Sequence, residues 1–117
     1  MTFLELNNNG KLKYLRCGSN KFTSLDVTKN TALTTLVCDN NQLTSLDVSK
    51  NETLVILSIE SNKFSTIALN DIFTMLHDKI IEMESKVVFI ADNAGTKNCR
   101  QRIAKSKGWR VNSKLND

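Results

Sequence analysis

The sequence predicts an α/β solenoid: short parallel strands stacked side by side, a mostly non-helical convex side, and an α/β cap at the C-terminal end. Three observations predict it. A 21-residue unit recurs through the first part of the chain. Within each unit the apolar residues fall two apart, which is strand spacing. After Leu69 the period stops, and helical and β-branched patterns replace it. Residues 1–69 are expected to form about three units, the first of them partial, and residues 70–117 the cap.

The unit emerges on aligning Leu12, Leu33 and Leu54, each 21 residues from the next. Other columns fall into line: Leu15, Leu36 and Leu57; Cys17, Cys38 and Ile59; Asn20, Asn41 and Asn62; Phe22, Leu43 and Phe64. The second halves match through Leu25, Leu46 and Ile67 and through Val27, Val48 and Leu69. Asn30 and Asn51 close two units, and Leu4-Glu5-Leu6-Asn7-Asn8-Asn9 matches the end of one more. The first half reads LxxLxCxxNxF or LxxLxCxxNxL, with Ile for Cys in the third copy, which is the leucine-rich-repeat pattern. Leu15 and Cys17 lie two apart and therefore share one side of a strand. A single unit cannot bury that side, whereas stacked units bury it continuously and pair their strands about 4.8 Å apart. An inward Asn amide both donates and accepts, so it can satisfy backbone groups where the chain leaves the strand.

The second half, as in Ser24-Leu25-Asp26-Val27-Thr28-Lys29-Asn30, is too short for a helix of any length. It reads as an extended segment or a turn of tight helix, followed by a polar turn. In the cap, Asn70 is the expected N-cap of a short helix, with Ile72, Phe73, Leu76 and Ile80 as its apolar stripe. Lys86 to Ala91 is β-branched and apolar, so a strand that continues the sheet is expected. Asp92-Asn93-Ala94-Gly95 reads as a turn. Thr96 is the expected N-cap of a second helix that turns Cys99, Ile103 and Ala104 inward. Gly108 ends it, and Trp109 and Val111 alternate on a last strand.

Composition narrows the function. The 117 residues carry a net charge of +4 and only 6% aromatics. The basic residues are dispersed, unlike the basic faces with interleaved aromatics of nucleic-acid binders. No window reaches the roughly 18 to 20 apolar residues of a membrane span. Met1-Thr2-Phe3-Leu4-Glu5 has no basic or apolar signal region, so no signal peptide is expected in this chain. Cys17 and Cys38, one unit apart, are expected to stack as a ladder of buried thiols rather than as a disulfide. No Cys or His pair has metal spacing, and neither a phosphate-cradling loop nor a Ser/His/Asp set occurs. The single histidine, His77, reads as a surface residue, and a pairing with Cys99 is disfavoured because Cys99 sits in an apolar helical pattern. Asp26 and Asp47 read as solvated carboxylates offset by Lys29 and Lys50. Neither cofactor nor metal is expected, and no enzyme.

The unit LTTLVCDNNQLTSLDVSKNET resembles the 21-residue cysteine-containing repeats of bacterial surface proteins, internalin-like and Bacteroidetes-type. The cap resembles that of the Bacteroidetes group through Asn70-Asp71-Ile72-Phe73, Asn93-Ala94-Gly95-Thr96, Cys99, Ile103-Ala104 and Lys107-Gly108-Trp109-Arg110-Val111. The resemblance implies a secreted or cell-surface location, adhesion or protein binding, and no catalysis. The binding surface would be the concave face, where Tyr14, Thr35 and Ile56 form one outward column, Arg16, Val37 and Ser58 the next, and Gly18, Asp39 and Glu60 a third. Tyr and Arg are common at binding hot spots. The contact set expected is therefore Tyr14, Arg16, Thr35, Val37, Asp39, Ile56, Ser58 and Glu60, with a protein as partner. The alternative is a structural terminal segment that caps a longer repeat protein. No unit covers Leu4 and Leu6, so the edge formed by residues 1–16 is expected to invite a homodimer.

Overall fold

The computed structural model describes residues 4–6, 8–81 and 84–115. Each leucine of the central column seeds a three-residue strand: β1 (Tyr14–Arg16), β2 (Thr35–Val37) and β3 (Ile56–Ser58). Helix α1 (Thr66–Met75) follows, then β4 (Lys86–Phe89), helix α2 (Gln101–Lys105) and β5 (Trp109–Asn112). The strands form one parallel sheet in sequence order, β1-β2-β3-β4-β5. The register places Leu15, Leu36, Leu57, Val88 and Val111 side by side. Hydrogen bonding runs on past the strands, through Cys17 N–H to the Val37 carbonyl and Cys38 N–H to that of Ser58. The expected leucine-rich-repeat architecture is present.

Burial follows the columns. Leu33, Leu36, Cys38, Leu57, Ile59 and Phe64 are fully enclosed. The Asn column lies at the strand exits and is the main polar device of the fold. Asn41 Nδ2 donates to the carbonyls of Cys17, Cys38 and Asp39, while its Oδ1 accepts Phe22 N–H at 3.1 Å. Asn62 repeats this one unit on, with Cys38, Ile59, Glu60 and Leu43. Each amide thus ties its own unit to the one before. A second column does the same at the opposite turn, where Asn51 Nδ2 donates to the Val27 and Asn30 carbonyls and Asn30 Nδ2 to those of Leu6 and Asn9.

The ladder has a rung in the cap. Asn93 Nδ2 donates to Ile59, Ile90 and Ala91, and its Oδ1 accepts from the backbone of Asn62 and Phe64. Asn62 and Asn93 are 31 residues apart rather than 21. The residue before each ladder Asn adopts a left-handed backbone: Ser19, Asn40, Ser61 and Asp92 have φ between 54° and 58°. That conformation costs an L-residue roughly 1 kcal/mol, and its recurrence marks the corner where the chain leaves the sheet.

On the convex side the second halves of the units closed by Asn30 and Asn51 carry neither helix nor strand. Asp26 and Asp47 each fold a local turn. The Asp26 carboxylate accepts the Thr28 N–H and hydroxyl at 2.9 and 2.6 Å, and Asp47 does the same with Ser49. These bonds, ahead of Lys29 and Lys50, hold both carboxyls below their ordinary value.

Several cap expectations are corrected. Helix α1 begins at Thr66 rather than after Asn70, because Ser65 is the N-cap and accepts Ala68 N–H. Ile67 therefore leaves the Leu25/Leu46 column and stands 73% exposed on the helix. The helix ends at Met75, so Ile80 lies beyond it and is 95% exposed, whereas Ile72, Phe73 and Leu76 are buried as expected. Asn70 instead accepts Arg100 N–H, joining α1 to the start of α2. Thr96 does not cap α2, which has no side-chain cap. Its hydroxyl donates to Ile90 and accepts from Asn93 N–H, bracing the loop after β4. Gly108, at φ +84°, ends the α2 segment as expected.

The cap is fastened by cations on carbonyls. Lys86 is buried, with Nζ donating to the carbonyls of Lys79 and Lys107 and lying 5.5 Å from the Trp109 ring. Lys107 Nζ donates to the carbonyls of Thr74 and Leu76 at the end of α1. His77 is half-buried, not a free surface residue. Its Nε2 meets the Leu54 carbonyl at 2.7 Å, its Nδ1 accepts Lys79 N–H, and its ring packs edge-on to Trp109. These bonds assign the neutral Nε2–H form. Burial is the main reason its pKa is lowered.

Candidate protein-binding face

Because paired residues on parallel strands share a face, the register assigns the outward side chains. The first row runs Tyr14, Thr35, Ile56, Val87 and Arg110. The second runs Arg16, Val37, Ser58, Phe89 and Asn112. Val87, Phe89, Arg110 and Asn112 come from the cap and were not among the contact residues expected from sequence. The signal existed: Val88-x-Ile90-x-x-Asn93 repeats Leu57-x-Ile59-x-x-Asn62 without a leucine and in a longer spacing.

Height varies along each row. Tyr14 is 64% exposed and Arg16 is exposed. Val37, Ile56, Val87 and Phe89 are half-buried. Thr35 and Ser58 are only 5% and 7% exposed. Each is short and stands between taller neighbours, Thr35 between Tyr14 and Ile56 and Ser58 between Val37 and Phe89, so these two form a floor. Val87, Phe89, Arg110, Asn112 and Lys114 line a groove at the β5 end of the face.

The third column forms an acidic ledge. Asp39 and Glu60 are half-buried, and Asp39 leans over Gly18 so closely that a Cβ there would lie 2.2 Å from its Oδ1. Burial first, and then the neighbouring Asp39, push the Glu60 carboxyl up. Among the described residues the one ion pair is Lys79 with Glu52, at 2.9 Å, and neither residue belongs to these columns.

Cys17 and Cys38 are free, buried thiols in adjacent units. Burial pushes Cys17 up to about 11, and Cys38 is pushed up further by burial and by its neighbour. Such thiols are poor nucleophiles at neutral pH. Cys99 Sγ donates to the Thr96 carbonyl and His77 is engaged with Leu54 and Lys79, so the geometry does not join them as a dyad. Among the described residues no cluster of His, Cys, Asp or Glu could hold a metal ion, and no helix is long and apolar enough to cross a membrane.

No family model matches the chain, and no curated protein matches it. Solved structures do. One is the functional domain of InlJ from Listeria monocytogenes, described as including a cysteine ladder, with a TM-score of 0.63 and 20% identity. The match covers 100% of this chain and 25% of that one, so the chain spans about a quarter of its length. Similarity at that level shows architecture: the chain folds as a leucine-rich-repeat solenoid, the fold class its own columns predict.

Proposed function

We propose that this chain is a non-catalytic, adhesion-type protein-binding module that works at a bacterial cell surface. The observation that carries the reading is the outward sheet face. Four half-buried apolar side chains, Val37, Ile56, Val87 and Phe89, lie together on rigid strands, with Tyr14 and Arg16 exposed beside them. A buried-core sheet with an apolar, aromatic and arginine outer face suits a partner protein. The location and the adhesive role follow the resemblance of the repeats to bacterial surface proteins. Thr35 and Ser58 shape the face as its floor, and Asp39 and Glu60 border it.

Capture of surface proteins on the immobilised chain tests this. Tyr14→Ala with Val37→Asp should abolish capture of any specific partner while the circular dichroism spectrum stays unchanged. Undiminished capture by that double variant would refute the reading.

A second reading, the structural segment of a longer solenoid, is favoured by one observation. Among the described residues Asn20 Nδ2 bonds Cys17 and Gly18 of its own unit, whereas Asn41, Asn62 and Asn93 also bond the unit before. The β1 edge therefore has the groups to receive another unit, or a second copy of the chain through residues 1–16, of which 1–3 and 7 lie outside the described residues. Light scattering separates these: a dimer lost on Leu6→Lys supports self-pairing, and a monomer at high micromolar concentration removes it.

A further inference from the structure

We infer that the sheet face selects an extended peptide segment lying across the strands, apolar in its middle and carrying a carboxylate at each end. This rests on the reading of that face as the binding surface and adds the chemistry of what it binds.

The two rows end in arginines at opposite edges of the sheet. Arg16 ends the second row on β1, and Arg110 ends the first row on β5. Both are exposed, and neither forms an ion pair among the described residues. Between them stand Val37, Ile56, Val87 and Phe89 over the low floor of Thr35 and Ser58. Lys114 adds a second cation to the groove beside Arg110 and Phe89. A ligand spanning the face thus meets cation, apolar strip and cation in turn.

The acidic ledge limits where the ligand's charge can go. Asp39 and Glu60 are half-buried carboxylates in adjacent units of the third column, so a further negative charge placed beside them would be repelled. A carboxylate over the middle of the sheet would face that ledge and an apolar surface. The same carboxylate at either end meets a guanidinium able to bind it with two parallel hydrogen bonds.

Spacing sets the length. Four strand-to-strand steps of about 4.8 Å separate β1 from β5, or roughly 19 Å. An extended chain rises about 3.3 Å per residue, so the two carboxylates belong about six residues apart, with alternate side chains between them turned into the apolar strip.

Two synthetic heptapeptides with blocked termini test this by fluorescence anisotropy at low salt, each with its charged ends and its apolar third and fifth residues on one face: DTVTFTD and KTVTFTK. The aspartate-ended peptide is expected to bind about tenfold more tightly, the scale of two exposed ion pairs. Arg16→Glu with Arg110→Glu, two exposed positions, should reverse the preference. Equal binding of the two peptides, or a double variant that keeps the wild-type preference, overturns the inference. If equal binding is still lost on Val37→Asp, only the charge selection fails and the face remains the site. If Val37→Asp leaves equal binding unchanged, the reading of the face fails with it.

Discussion

The repeats and the cap bury similar apolar cores but satisfy their backbones by different means. In the repeats the work falls to neutral amides: Asn41 and Asn62 each supply an amide nitrogen shared among three carbonyls and an oxygen for one N–H. In the cap it falls largely to ammonium groups, with Lys86 and Lys107 each spanning two carbonyls, and to ring nitrogens, His77 Nε2 meeting the Leu54 carbonyl and Trp109 Nε1 donating to that of His77. A short amide reaches only a neighbouring unit in fixed register, so it suits a period. A lysine has a long stem and three donors, so it can join carbonyls that no period places. The difference teaches that the period ends where its polar device changes, with Asn93 the last amide rung.

The largest expected effect concerns thiol access. Cys38 is fully enclosed and its thiol is held in the neutral form. Native-state labelling should proceed only through unfolding, at least about a thousandfold more slowly than in denaturant. Labelling of Cys38 as fast as in denaturant would contradict the ladder. Leu36→Ala should cost roughly 2 to 5 kcal/mol in urea denaturation, because the deleted side chain leaves a cavity between two filled units. A loss below about 1 kcal/mol would mean the register of the repeats is wrong.

Asn41→Ala should cost about 1 to 3 kcal/mol, since it strands the buried Phe22 N–H and three carbonyls. Asn20→Ala should cost less, because among the described residues that amide bonds its own unit alone. Equal losses would erase the distinction between inner rungs and the edge. In the cap, Gly95→Ala should cost a similar 1 to 3 kcal/mol, roughly the penalty of overpacking. A Cβ there would lie 2.2 Å from the backbone nitrogen of Thr66 and 2.3 Å from the carbonyl carbon of Ser65. A melting temperature unchanged by that substitution would show that the cap loop yields easily.

The smallest effect is the dependence on pH. Burial lowers the pKa of His77, so below 6.5 the unfolded chain binds a proton that the folded chain resists. The contribution of neutral His77 is complete above 6.5 and declines as pH falls through that value toward the lower folded one. Lys79, Lys86 and Glu52 all face the ring, with the two lysines reinforcing the shift and Glu52 opposing it. Glu60, whose carboxyl is raised, acts in the opposite sense at lower pH. The urea midpoint should therefore fall between pH 7.5 and 5.5, and His77→Gln should flatten that slope. A slope unaltered by His77→Gln would place its origin elsewhere.

What could be read beforehand was whatever repeats. Leu15, Leu36 and Leu57, the cysteine pair and the Asn column each recur in a unit of fixed length, and stacking turns that recurrence into register. The cap yielded less because its cues compete locally. Asn70 and Ser65 are both good N-cap residues, so local sequence does not decide between them; Ser65, next to the fully buried Phe64, caps α1. Ile67 fits the repeat column by spacing, yet the helix that starts at Thr66 rotates it outward. His77 and Lys86 gain their partners from Leu54, Lys107 and Trp109, which no local pattern links to them. The outward face was legible on the repeat strands and missed on β4 and β5, because Val87 and Phe89 sit in a run that reads as wholly apolar.

The 31-residue gap between Asn62 and Asn93 has a consequence for how such a chain can change. The ladder bonds on either side of that gap are the same as those across a gap of 21 residues. Helix α1 occupies the added length on the flank away from the sheet's outer face, and the next strand still lands in register. The return segments are thus positions where chain can be inserted, lost or exchanged while the face opposite keeps its spacing. Surface identity and surface geometry are then under separate control: one by the residues on the strands, the other by amides that hold their spacing whatever length of chain runs between them.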